Sequence, residues 1–229
     1  MTLDSWKPSS PLTPLASLAQ SIERLCRSLR TTNPLIKAPY ETSDKDRRTL
    51  MKILAFGASN SKTSINKRLA RFTATLVPHA QIEVLDLNDH DLPIFSEDLE
   101  KEIGHPQTAK AFFDKIGSAD GVIVSFAEHN GSYTAAYKNL FDWASRIDQK
   151  VFQGKPTVYL STSPGPGGAG SVLASAKGSA QFFGADLKAT VSVASFYEVF
   201  DADSGTITNP VALAELTAAA ETLALSEVI

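Results

Sequence analysis

The sequence predicts an α/β fold, a parallel sheet covered by helices on both faces. Three observations carry that expectation. From Met51 onward, short apolar runs alternate with longer segments of helical periodicity. The run GVIVSF, residues 121–126, is apolar almost without interruption, as a central strand buried on both sides must be. The stretches richest in Gly, Pro, Ser and Asn fall after strands, where a parallel sheet gathers its ligand-binding loops at one edge.

Taken in order, MKILAFG from Met51 is the first strand, and SINKRLARFTATLV behind it has the apolar spacing of a helix. QIEVLDL (81–87), GVIVSFA (121–127), PTVYLST (156–162) and DLKATVSVASF (186–196) supply four more strands. Helices are expected near 108–118, 134–146 and 169–183, with a last one near 210–226. Five strands of this kind suit a flavodoxin-like three-layer sandwich with sheet order 2-1-3-4-5. The chain thus divides into an N-terminal extension, residues 1–50, and a domain over 51–229.

Composition narrows the function classes. At 43% hydrophobic and 21% charged, the 229 residues are ordinary for a globular protein. Apolar runs stay short of the roughly 20 residues a membrane span needs, so none is expected. Cys26 is the single cysteine, which excludes an intramolecular disulfide and a cysteine metal cluster and is compatible with a reducing compartment. Net charge is −3, unevenly placed: residues 1–50 carry 8 Lys/Arg against 5 Asp/Glu, the remainder 14 against 20. A mildly acidic body lacks the basic field that gathers phosphate backbones, so nucleic acid is not expected as a partner.

The extension is rich in Ser, Thr, Pro and Leu, with Leu15, Leu18, Ile22, Leu25 and Leu29 near helical spacing. It reads as disordered, as a helix packing on the body, as a transit peptide, or as sequence upstream of a start at Met51. Asp4 and Glu23 weigh against the transit peptide. A cytoplasmic location is expected, organellar targeting by residues 1–50 being the alternative.

Three loops carry unusual chemistry. GASNSKTSIN, 57–66, sets the hydroxyls of Ser59, Ser61, Thr63 and Ser64 beside Asn60, Lys62 and Asn66 where a helix begins. One hydroxyl suffices to cap a helix. Four, at an end that offers free N–H groups and a positive dipole, point to a phosphate. The loop is neither a P-loop, since Phe56 stands where its first Gly belongs, nor a GxGxxG dinucleotide turn, since Gly57 is alone. Low charge suits a terminal monophosphate better than a triphosphate with magnesium.

The second loop runs Ala127, Glu128, His129, Asn130, Gly131, Ser132 after GVIVSF. Asn-Gly is a strong hairpin signal, but an apolar helical face is expected from Tyr133 onward. The hairpin is therefore set aside, and the pair is taken as a wall of a ligand site. The third loop, STSPGPGGAGS (161–171), is dominated by Pro and Gly and lets a ligand approach the backbone closely. A GxSxG elbow is absent and the four His show no metal-ligand spacing, so hydrolase and zinc chemistry are not expected.

With these residues in view, the sequence strongly resembles the NAD(P)H-dependent FMN reductase family, flavodoxin-like enzymes that include quinone and chromate reductases. The resemblance spans roughly 51–200. It rests on the Ser59, Ser64 and Asn66 spacing, on Ser163-Pro164-Gly165 with Gly167 and Gly168, and on AEHNGSYTAAYKNLFDWASR with Lys138, Asn139, Asp142 and Trp143. Members often carry Arg where Ser61 stands, and Pro and Tyr where Ala127 and His129 stand.

The resemblance implies FMN as cofactor, with NADPH or NADH as hydride donor. It implies a phosphate site at Ser59, Ser61, Lys62, Ser64, Ile65 and Asn66. Ala127, Glu128, His129, Asn130 and Gly131 would line the flavin ring, and Ser163, Pro164, Gly165, Gly167 and Gly168 its pyrimidine side. It further implies a quinone or similar small-molecule electron acceptor, no catalytic acid–base residue, and a homodimer or homotetramer. A flavodoxin-type electron carrier or a redox-sensing flavin protein is the alternative.

Overall fold

The computed structural model describes residues 50–224, all within a compact unit that begins at Thr49. The expectations for residues 1–49 and for the last helix beyond Ala224 lie outside the described residues. Five strands, β1 (Met51–Ala58), β2 (Ala80–Leu85), β3 (Gly121–Phe126), β6 (Pro156–Thr162) and β7 (Asp186–Val193), pair in parallel in the order β2-β1-β3-β6-β7. Among main strands this is the 2-1-3-4-5 order the sequence predicts. Two ribbons of two residues per arm lie outside the sheet: β4 (Glu128–His129) with β5 (Ser132–Tyr133), and β8 (Phe200–Asp201) with β9 (Thr206–Ile207).

Among the described residues seven α-helices accompany them: α1 (Ile65–Thr75), α2 (Glu97–Ile103), α3 (Gln107–Ser118), α4 (Ala135–Ile147), α5 (Gly170–Ser179), α6 (Phe196–Val199) and α7 (Pro210–Ala224). Strand β1 shows how the layers are specified. Leu54, Phe56 and Ala58 face the core shared with α3, α4 and α5, while Met51, Ile53 and Ala55 face the one shared with α1 and α7. Because successive side chains point to opposite faces, a strand covered on both sides must be apolar throughout. β1 leaves only Lys52 exposed, and every residue of β3 is buried.

One expectation is corrected. Asn130-Gly131 does turn a hairpin: Glu128 pairs with Tyr133 and His129 with Ser132, antiparallel. Both central residues have positive φ, 52° and 76°, as a two-residue I′-type turn requires. Tyr133 is therefore a strand residue, and the helix starts at Ala135, capped by Thr134, whose Oγ1 accepts from Tyr137 N. Two residues per arm are enough to turn the chain before a helix begins.

The sequence reading also passed over α2 and the segment ahead of it. Asn139 fastens that segment to α4: its Oδ1 accepts from Phe95 N at 2.9 Å, and its Nδ2 donates to Leu92 O and Pro93 O. Trp143 Nε1 donates to Pro93 O at 2.8 Å, and its ring meets Phe95 edge-on. The Lys-Asn-x-x-Asp-Trp pattern thus contains a clamp as well as a core residue.

Candidate functional site

The parallel register brings the ends of β1, β3 and β6 level: Phe126 pairs with Ala58 on one side and with Ser161 on the other. The three loops predicted to carry chemistry leave the sheet there. Three polar clasps tie them to one another. Thr134 Oγ1, behind the hairpin, donates to Ala58 O at 2.9 Å. Asn66, in the first turn of α1, reaches the end of β6, where Nδ2 donates to Thr162 O and Oδ1 accepts from Thr162 N, both at 3.1 Å. The same Oδ1 accepts from Ser125 Oγ on β3 at 2.7 Å. Glu128, on the hairpin, accepts from Val172 N in the first turn of α5 at 2.9 Å.

The first loop presents donors. Ser64 caps α1 by accepting from Lys67 N, and Ser59 Oγ accepts from Ser61 N. The amides of Ile65 and Asn66 are first-turn donors without an intrahelical acceptor, and no bond to another described residue replaces it. Ser61, Lys62 and Thr63 are exposed, and their side chains bond to none of the described residues. Lys67 is committed elsewhere, to Asp86, whose carboxyl it holds down at about 2. Lys62 is thus the unpaired cation of the loop. Two free amides, two hydroxyls and one ammonium form a donor set that fits a phosphate monoester.

The second loop offers backbone on an exposed turn: His129, Asn130 and Gly131 are open to solvent, while Ala127 and Glu128 are half-buried. The third is built from underneath. Ser161 Oγ and Ser192 Oγ both donate to Gly168 O, at 2.7 and 2.9 Å. Ser195 N donates to Gly165 O and Phe196 N to Ser163 O, which fixes the loop against the chain leaving β7. Gly168 has φ +57°, and a Cβ there would lie 2.3 Å from Ser192 Oγ. Above Gly165 and Gly167 a Cβ would meet nothing within 4 Å, so their backbone faces open space. Pro164 is exposed.

The structure thus brings all three predicted loops to one edge and sorts their residues by direction. Asn66 turns its side chain inward and leaves only its amide at the helix start, and Glu128 spends its carboxylate on α5. Sequence reasoning missed Thr134, Ser125, Ser161 and Ser192, which hold the loops from below. The partners of Thr134, Ser125 and Ser192 lie 76, 59 and 24 positions away, so no local spacing announces them, while Ser161 meets Gly168 within its own loop.

Glu128 also stands in for a missing cap, because Ala169 ahead of α5 has no side-chain oxygen to offer. Its negative charge at a helix N-terminus adds to the hydrogen bond. Glu128→Ala should lower stability by about 1–2 kcal/mol, and Glu128→Gln should recover roughly half of that. Urea unfolding measures both; equal midpoints for Glu128→Ala and the parent would remove Glu128 from this role.

Comparison with known proteins agrees with this arrangement. Residues 51–198 match the family model described as NADPH-dependent FMN reductase. The chain is 37% identical over 123 residues to the NADPH:quinone oxidoreductase of Arabidopsis thaliana, covering 52% of this chain and 61% of that protein. It is 34% identical over 116 residues to the quinone reductase of Escherichia coli K12, covering 50% and 61%. The matched region therefore spans about three-fifths of these curated relatives. Among solved structures, the flavoenzyme NAD(P)H:(acceptor) oxidoreductase FerB of Paracoccus denitrificans superposes with a TM-score of 0.64 at 26% identity, over 76% of this chain and 95% of that one. No helix among the described residues is long and apolar enough to cross a membrane. A five-stranded sheet in this order, three clasped loops at its carboxyl edge and the family match over 51–198 make this chain a member of the NADPH-dependent FMN reductase family.

Proposed function

We propose that this chain binds FMN at the three-loop edge and uses it to reduce a quinone or similar small acceptor at the expense of NADPH or NADH. The observation that carries the reading is the donor set at the start of α1: two free amides, two hydroxyls and an unpaired Lys62, enclosed by two loops clasped to it. When bound, FMN would accept a hydride from the nicotinamide and hand two electrons to the acceptor.

The chain's own residues bind, orient and shield. Ser61, Lys62 and Thr63, with the amides of Ile65 and Asn66, would hold the phosphate, and Ser59 and Ser64, whose hydroxyls accept from Ser61 N and Lys67 N, would shape the loop around it. Ala127 to Gly131 would give the flat ring a backbone wall, and Ser163 to Gly168 would present unobstructed main chain to its polar edge. None of these roles needs a residue that gives or takes a proton. Rigidity supports the reading: the clasps through Thr134, Asn66 and Glu128 fix the loops before ligand arrives, which lowers the ordering cost of binding. The acceptor class and a homo-oligomeric assembly belong to the same proposal.

The direct test is to purify the full chain, add FMN, and follow flavin absorbance together with NADPH and NADH oxidation in the presence of a benzoquinone. Bound flavin with quinone-dependent turnover is expected. A protein that takes up no FMN would overturn the reading, and one that binds FMN without turnover would make it an electron carrier. The hairpin gives a residue-level test. Asn130→Leu with Gly131→Val puts a branched side chain at a φ of 76°, a conformation it resists. FMN affinity should fall at least about tenfold, with melting lowered by only a few degrees because the turn lies outside the main sheet. Unchanged affinity would take the hairpin out of the site.

A further inference from the structure

Helix α1 has a second working face. Leu69, Ala70, Thr73 and Ala74 are buried, while Arg68, Arg71, Phe72 and Thr75 form a stripe at i, i+3, i+4 and i+7. That stripe and the β8–β9 ribbon enclose a groove of about 640 Å³, within the range of small-molecule sites. None of the residues lining it belongs to the three loops over 59–66, 127–131 and 163–168. Phe72 and Phe200, both half-buried, give it an apolar side and meet edge-on at 6.5 Å. Phe200 also stacks on buried Phe196 at 4.6 Å, which anchors the start of the ribbon.

Two cations in the groove lack partners. Neither the Arg68 nor the Arg71 guanidinium bonds to, pairs with or stacks on any described residue. One exposed arginine in that state is ordinary. Two of them, a turn apart beside an aromatic pair, are not ordinary over residues 51–229, where 20 Asp/Glu face 14 Lys/Arg. The ribbon's carboxylates have not closed on them. Asp201 is spent on its own turn: Oδ2 accepts from Ser204 Oγ at 2.7 Å and Oδ1 from Asp203 N at 2.9 Å. These bonds hold its carboxyl below the usual carboxylate range. Asp203 lines the groove with an exposed carboxylate that forms no ion pair with a described residue.

These groups match the three parts of a nucleotide. A single guanidinium fork satisfies a carboxylate, whereas two forks a turn apart can share the three terminal oxygens of a phosphate monoester. Phenyl rings suit the flat face of a base. A free carboxylate beside them suits sugar hydroxyls, which donate to it. We propose that the groove between α1 and the β8–β9 ribbon is a second binding site, separate from the three-loop edge, for a nucleoside monophosphate. Arg68 and Arg71 take the phosphate, Phe72 and Phe200 the base, and Asp203 the ribose hydroxyls.

The test is calorimetric titration of the full chain, mixed with one equivalent of FMN, with AMP. One saturable site per chain is expected, at least about tenfold tighter for AMP than for inorganic phosphate or adenosine. Arg68→Gln with Arg71→Gln should weaken AMP by more than about tenfold and barely move the unfolding midpoint, since both residues are exposed. Asp203→Ala should weaken AMP severalfold and leave 2′,3′-dideoxy-AMP unaffected. Ser61→Asp puts a negative charge at the three-loop edge, so it should cost FMN affinity and leave AMP affinity unchanged. The two readings therefore fail separately: FMN uptake without AMP binding overturns this one alone, and AMP binding without FMN uptake overturns the other alone. Equal affinity for inorganic phosphate, undiminished affinity in the double arginine variant, or loss of AMP binding with Ser61→Asp would each overturn the proposal.

Discussion

Gly57→Ala should destabilise the protein by about 3 kcal/mol and remove most of its affinity for FMN. The residue lies within β1, where α1 crosses directly over the strand. A Cβ at this position would sit 2.4 Å from Lys67 N, 2.8 Å from Lys67 Cα and 2.9 Å from Asn66 C. These are backbone atoms in the first turn of a helix, so no side chain can swing aside. The methyl group must push α1 off the sheet, and overpacking of this kind costs a few kcal/mol. The displaced atoms are also the ones that matter to the site. Asn66 carries a free amide at the helix start and clasps Thr162, so moving it loosens the proposed phosphate donors and the third loop together. In urea the unfolding midpoint should fall by about 1–2 M. FMN titration of the folded fraction should show binding weakened by more than about tenfold. A variant with the parent's midpoint would show that α1 can shift at little cost, and the close-packing argument would fail.

Gly57 also shows what the sequence can and cannot disclose. Read along the chain, it opens a hydroxyl-rich loop; in the structure it belongs to the strand, and its function is to admit a helix. The alternation of strands and helices was legible because each element carries its own periodicity, and β3 was plain because a strand buried on both faces has no polar positions to confuse the pattern. The hairpin was misread for a related reason. The helical pattern that starts at Ala135 and the strand pairing that ends at Tyr133 are separated by one residue, so the helix seemed to leave no room for a return. The local signal in Asn130-Gly131 was sound; the inference that a helix must exclude a turn was not.

The clasps were illegible in principle. Thr134 bonds to a carbonyl 76 positions away, Asn66 to a backbone 96 away, and Glu128 to an amide 44 away. Periodicity and motif spacing report on neighbours in sequence, whereas these bonds exist only because a parallel register levels the ends of three strands.

Asn66 provides the second large effect. β3 ends at Phe126, which pairs with Ser161, and the chain then leaves the sheet for the hairpin. Thr162, one residue further along β6, therefore lacks a strand partner on that side. The Asn66 amide takes the strand's place, donating to its carbonyl and accepting from its N–H, and it holds Ser125 Oγ as well. Asn66 is 2% exposed, so these groups have no ready access to water. Asn66→Leu leaves a buried carbonyl, an N–H and a hydroxyl unsatisfied, and should cost about 3–5 kcal/mol. Asn66→Asp supplies a test with a sign. A protonated carboxyl can donate to Thr162 O and still accept from Thr162 N; a carboxylate cannot donate, and its charge is buried beside a carbonyl oxygen. Its folded-state pKa must therefore lie above the unfolded value of about 3.9. Relative to the parent, the variant's deficit should be smallest below about pH 4 and should grow as pH rises through and beyond that value. Urea midpoints of both proteins at several pH values decide the matter. A deficit independent of pH would mean that the amide's donor to Thr162 contributes nothing and that the end of β6 is held by other contacts.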